Sequence, residues 1–204
     1  MSEQMEQLRI FTAQQVREIG DKYGTPVYAY SLSALDQQIE QVKQWLMPFG
    51  QTWRFAMKAN PHPTILKRLY EQGVWIDASS GREVEMAIAA GVAPEHVMLT
   101  SQQLPDNLSE LLEQGVKFNA CSLRQLERFC EVAPGSEVSA RINPGLGSGA
   151  NNRLTTGGVN AAFGIWHEYI DQAKQIAVDA DVVIVQVHTH IGSGSEPGTV
   201  ARHR

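Results

Sequence analysis

The chain has 204 residues, of which 43% are hydrophobic and 19% charged, and its net charge is −5. That length and balance support an ordinary packed core. The acidic balance without a long basic run argues against a nucleic-acid or anionic-membrane surface, and no apolar run approaches the roughly 20 residues of a membrane helix.

In chain order, the polar amphipathic start "MSEQMEQLRIFTAQQVREIGDKYG" lacks the basic-then-apolar plan of a secretory signal. A cytoplasmic protein is expected, with Cys121 and Cys130 as reduced thiols at a strand end and on a helix. "GTPVYAYS" reads as a turn and short strand, and "LDQQIEQVKQWL" as a helix closed by Pro48 and Gly50.

A rhythm of strand and helix then follows. Strands are expected at 53–58, 74–79, 97–101, 117–121, 138–143 and 182–190, with helices between them. Three helices end at Gly73, Gly91 and Gly115, each followed by valine, which is a left-handed helix stop. The polar residues closing the strands, Lys58, Ser79, Ser101, Ser122 and Asn143, are spaced 21, 22, 21 and 21 apart, an internal strand–helix repeat. Such alternation implies parallel pairing, and the even spacing favours a closed (β/α) barrel over an open doubly wound sheet.

In a barrel the strand ends form one rim, where barrel enzymes keep their chemistry. Lys58, Asp77, Ser79, Arg141, Asn143, His188, His190 and Ser193 fall there. Burial is expected for Lys58 at the end of "WRFAMK", so it either snorkels out to solvent or pairs with Asp77 on the next strand, or it is used chemically, as a Schiff-base lysine is. In "HTHIGSGS" the two histidines are expected to point to opposite sides of their strand, one of them a core histidine bonded to a backbone carbonyl. The strand is expected to run into a Gly-Ser-Gly turn whose N–H groups, with the Ser193 hydroxyl, suit a phosphate. No metal is expected, since the other strand ends offer serine and asparagine. The insertion "GLGSGANNRLTTGGVNAAFG" reads as a lid or loop, because no helix opens at its third glycine as a dinucleotide fingerprint requires.

"FAMKANPHPTIL", "IDASSGREVEMAIAAG", "SARINPG", "FGI" and "HTHIGSG", in this order, resemble the fold-type III, alanine-racemase-like decarboxylases that use pyridoxal phosphate, most of all the diaminopimelate type. The resemblance covers residues 20–196. It implies an α/β fold, a (β/α)8 TIM barrel that binds pyridoxal 5'-phosphate, and decarboxylation of a small amino acid, meso-diaminopimelate to L-lysine, in a homodimer. Ornithine, arginine or carboxynorspermidine decarboxylation, racemisation, and a non-catalytic cofactor-homeostasis role are the alternatives on the same fold. It further implies that Lys58 forms the Schiff base and that His190 stacks on the pyridine ring. Gly192, Ser193 and Gly194 would hold the phosphate, Asp77 would tune Lys58, and Arg141 would lie beside the phenolic oxygen. The expected organisation is a helix and leading strand at 1–35, a partial barrel at 36–196 and an atypical tail at 197–204. Family members are longer, closing the eight strands and adding a C-terminal β-domain that supplies further cofactor contacts and a cysteine across the dimer. With six strands, the chain is expected to be a truncated N-terminal part, inactive by itself.

Overall fold

The computed structural model describes residues 10–45, 49–145, 148–149, 161, 163–190 and 192–193. Two compact units emerge, residues 1–52 and 53–204.

The first unit carries α1 (Ala13–Tyr23) and α2 (Leu32–Lys43). A reciprocal capping box starts α1: Gln15 N–H donates to Thr12 Oγ1 at 3.2 Å, and Thr12 N–H donates to Gln15 Oε1 at 2.8 Å. Ser31 caps α2 by accepting from Ala34 N–H at 3.2 Å. No strand forms at 27–30, where one was expected; Tyr28 is 90% exposed, so this extended-looking segment has found no sheet to join.

The second unit is the strand–helix repeat. Its strands are β1 (Arg54–Ala56), β2 (Trp75–Ala78), β3 (Val97–Leu99), β4 (Lys117–Ala120), β5 (Glu137–Asn143), β6 (Ser148–Gly149), β7 (Ile165–Trp166), β8 (Val183–His188) and β9 (Gly192–Ser193). Its helices are α3 (Pro63–Glu71), α4 (Gly81–Ala89), α5 (Leu108–Glu113), α6 (Leu123–Val132) and α7 (Ile170–Asp179). β1 to β5 pair in sequence order, and β7 and β8 both pair with β5, all in parallel. The six expected barrel strands are therefore present, most of them shorter at their ends than expected.

The helix stops work as a repeated device. Gly73, Gly91 and Gly115 have φ of 79°, 95° and 97°, a region that costs other residues strain. The following valine then donates back into the helix: Val74 to Leu69, Val92 to Ala87 and Val116 to Leu111, at 3.0 to 3.1 Å. All three valines are buried and lead into the next strand or its approach, so one turn both ends the helix and aims the chain.

The period-two alternation of the strands divides them into two faces. One face, with Ile76, Ala78, Val97, Leu99, Phe118 and Ala120, packs on Leu66, Val84, Leu111, Leu126 and Phe129 of the helices. Phe118 and Phe129 stack at 5.7 Å between centroids, and burying side chains of this size stabilises by about 1.5–3 kcal/mol each. The other face is largely polar and borders an open cavity of about 260 Å³, lined in part by Arg54, Asp77, Thr100, Asn119, Ser139 and His188. β8 ends the run, with Val183, Val185 and Val187 at 58%, 55% and 69% exposure.

Candidate functional site

Lys58 lies in a single 3₁₀ turn, Met57–Ala59, immediately after β1. The strand was expected to continue through it and bury it. Instead the turn drives Met57 into the core, fully buried, and leaves Lys58 exposed on the rim. An exposed ammonium needs no buried partner, and Lys58 reaches solvent as a snorkelling lysine does. What remains is a lysine at a strand end whose charge reaches Asp77 and His190.

Asp77 faces the cavity from β2. Burial pushes its carboxyl above the ordinary range, opposed by the hydrogen bond from Thr100 and by the charges of Arg54 and Lys58. The Thr100 hydroxyl donates to Asp77 Oδ1 at 2.7 Å. Asn119 Nδ2 donates to Thr100 Oγ1 at 3.3 Å and also meets His188 Nδ1 at 2.9 Å. Ser139 Oγ donates to Asn119 Oδ1 at 3.0 Å. Thr100, Asn119 and Ser139 were not anticipated as part of the site. Their signal was there, polar residues at cavity-facing positions at or beside otherwise largely apolar strands.

His188 and His190 do not point to opposite sides. Two residues apart on an extended segment they share a side, and the structure shows the consequence. Both feel Arg141, and His190 further discourages a charge on His188. Burial is the leading cause for each; it lowers His190 and brings His188 down to about 4. His188 bonds to the Asn119 side chain, so the expected core histidine is satisfied by an amide and not by a backbone carbonyl.

Arg141, 7% exposed, comes from β5 and places its Cζ 3.9 Å from the centroid of Phe163. Phe163 is brought there by a clasp at the end of β5. Asn143 Nδ2 donates to Ala161 C=O at 3.2 Å, Asn143 Oδ1 accepts from Gly145 N–H at 3.1 Å, and Gly164 N–H donates to Cys121 C=O at 3.0 Å. Gly164 has φ of 102°, and a Cβ there would stand 3.0 Å from Asn143 N. Asn143 thus serves the loop, and Ser79 the next helix: its N–H donates to Glu83 Oε2 at 2.7 Å while Ser80 caps α4.

Gly192 and Ser193 form β9, paired in parallel with β6 inside the insertion, where a turn was expected. Backbone pairing has claimed this stretch and ties the insertion to the strand after His190. Gly194, the tail 197–204 and most of the expected lid lie outside the described residues. Among the described residues no three His, Cys, Asp or Glu side chains gather as a metal site, and no helix is long and apolar enough to cross a membrane.

One test of cofactor fit is chemical. His190 Nε2 is buried without a hydrogen-bond partner among the described residues, beside a rim that carries an amine, a carboxyl and a guanidinium. Those groups fit an aldehyde-bearing, anionic aromatic cofactor. Comparison with known proteins agrees. Residues 33–202 match the family model described as the pyridoxal-binding domain of pyridoxal-dependent decarboxylases, and the chain belongs to that family, whose cofactor is pyridoxal phosphate. It is 34% identical over 182 residues to diaminopimelate decarboxylase of Streptomyces coelicolor, covering 87% of this chain and 40% of that protein. It is 33% identical over 188 residues to diaminopimelate decarboxylase of Escherichia coli K12, covering 90% and 44%. A crystal structure of diaminopimelate decarboxylase superposes with a TM-score of 0.81 at 33% identity, again covering 90% of this chain and 44% of that one. The chain spans less than half the length of these relatives.

Proposed function

We propose that this chain is the cofactor-binding part of a decarboxylase that converts meso-diaminopimelate to L-lysine, working as a cytoplasmic homodimer. The observation that carries the reading is the gathering of Lys58, Asp77, Arg141 and His190 at one end of a parallel sheet, in a chain about one-third identical to diaminopimelate decarboxylases.

Lys58 would hold the carbonyl carbon of pyridoxal phosphate, His190 its ring, and Gly192, Ser193 and Gly194 its phosphate. When bound, the cofactor supplies an electron sink for the carbanion left as carbon dioxide departs. The chain's own groups set the conditions. Burial opposes the charge on Asp77, while the hydrogen bond from Thr100 and the charges of Arg54 and Lys58 favour it, which couples this carboxyl electrostatically to the rim lysine. Burial, reinforced by the positive charge of Arg141 held over Phe163, disfavours the charged form of both histidines. The helices cover the outer face of the sheet, which leaves the polar face as the route to the site.

The 204 residues are proposed to bind cofactor without turning over substrate. Among the described residues the parallel sheet has seven strands, β1, β7 and β8 each pair with one neighbour alone, and the exposed valines of β8 lack a covering layer. Incubation with pyridoxal phosphate and carboxyl-labelled meso-diaminopimelate is expected to release no carbon dioxide above background; normal enzymatic turnover would contradict this. Grafting residues 20–196 into the matching part of the Escherichia coli relative tests the substrate. The chimera is expected to release carbon dioxide from meso-diaminopimelate and not from ornithine or arginine; the reverse preference would overturn the assignment.

A further inference from the structure

We infer that Asn119 and His188 are positioning residues for Asp77, joined to it through Thr100 in a directional hydrogen-bond relay that crosses the inner face of the sheet. The inference rests on the reading of the Lys58 rim as the cofactor site.

Donor and acceptor counting fixes every role in the relay. An ionised carboxylate only accepts, so the single hydroxyl proton of Thr100 goes to Asp77 Oδ1, at 2.7 Å. Thr100 Oγ1 then receives a proton from its other neighbour, Asn119 Nδ2 at 3.3 Å. That sets the amide orientation, which Ser139 reinforces by donating to Asn119 Oδ1 at 3.0 Å. A reversed amide would put Oδ1 against Thr100 with no proton between them. The second Asn119 N–H is left for His188 Nδ1 at 2.9 Å, so this nitrogen accepts and the ring proton sits on Nε2.

Four strands take part: Asp77 on β2, Asn119 on β4, Ser139 on β5 and His188 on β8, with Thr100 just after β3. The relay therefore fixes the Asp77 carboxylate against the sheet as a whole, and not only against its own strand. Burial works against the charge on Asp77, while the hydrogen bond from Thr100 favours it. Among the groups acting on Asp77, Arg54 and Lys58 favour the charge and Glu83 opposes it, and none of these three belongs to the relay.

The test uses the full chain without cofactor first. Nitrogen-15 spectra of the histidine rings, with His188 assigned by its loss in His188→Gln, are expected to show His188 neutral with its proton on Nε2. A proton on Nδ1 would overturn the relay, and the tautomer itself is read on the wild type. Carbon-13 titration of the Asp77 carboxyl is expected to show a higher midpoint in Thr100→Val than in the wild type or in Thr100→Ser, which restores the hydroxyl. An unchanged midpoint in Thr100→Val overturns the proposal. Pyridoxal phosphate is then added, and the amount reductively trapped on Lys58 is measured against concentration. Thr100→Val is expected to weaken capture at least tenfold and Thr100→Ser less than threefold; equal capture by folded Thr100→Val would overturn a positioning role. A wild type that captures no cofactor would sink the functional reading, and the tautomer and carboxyl titration would still decide the relay.

Discussion

Gln125 of α6 reaches back to Ser101, donating Nε2 to its carbonyl at 3.0 Å from 24 residues further along the chain. The same nitrogen donates to Gln102 C=O at 3.0 Å, and Oε1 accepts from Cys121 N–H at 2.7 Å. One 5%-exposed amide thus satisfies three backbone groups where the rim loops after β3 and β4 meet. Glu83 serves the Ser79 N–H in the same way two repeat units earlier.

Replacing Gln125 with alanine leaves those backbone groups without partners, and a loss of about 2–4 kcal/mol is expected. Gln125→Glu keeps the acceptor for Cys121 but sets an anion against two carbonyls, so it is expected to be no better than alanine near neutral pH. Urea unfolding of the three proteins checks both; a Gln125→Glu chain as stable as the wild type would show that the clasp does not operate.

Gly164→Ala is expected to destabilise by about 1–3 kcal/mol, because the backbone is left-handed and the new Cβ meets Asn143 N. The damage should spread to Arg141, whose partner Phe163 is the preceding residue. Chemical unfolding measures the first effect, and near-ultraviolet spectra of the folded variant the second. A neutral substitution would mean that the loop is not clasped here.

His188 predicts a pH dependence. Its folded-state value of about 4 lies below its ordinary 6.5, so between these the unfolded chain binds more protons. The associated stability is fully present above about pH 6.5 and is lost as pH falls towards 4. The size expected is about 2–3 kcal/mol after allowing for partial exposure. Asp77, whose value is raised, acts in the opposite sense, its contribution being lost as pH rises. Comparing wild type with His188→Gln isolates the histidine. The variant should lose less stability than the wild type between pH 7 and pH 4.5, and parallel curves would contradict the account.

Cys121 is buried, its thiol donating to Asn119 C=O at 3.2 Å, and burial pushes it up to about 12. At pH 8 the thiolate is roughly one part in ten thousand. Iodoacetamide is expected to leave Cys121 unmodified in the folded chain and to label it once urea is added. Rapid labelling of the folded chain would refute this.

Much of the fold was legible because it rests on local signals. Alternation marked the strands, and the Gly-Val pairs marked the helix ends through the back-donation from Val74, Val92 and Val116. Lys58 was found by its position but misjudged in its surroundings, since one 3₁₀ turn after Ala56 reverses which residue is buried. The histidine pair was misassigned because period two sets residues 188 and 190 on one side. The relay could not be read in advance. It joins Asp77 to Thr100 across 23 residues and Asn119 to His188 across 69, partnerships that only the sheet creates. Residues 27–30 show the converse, a strand-like pattern that forms no strand among the described residues.

The central claim is that the rim around Lys58, Asp77, Arg141 and His190 is the pyridoxal phosphate site. Stoichiometric pyridoxal phosphate, borohydride reduction and peptide mass spectrometry test it directly. The account predicts one pyridoxyl group per chain on Lys58, falling to the level of other surface lysines in Lys58→Ala. A label distributed evenly among lysines, or one unchanged in amount when Lys58 is removed, would contradict it.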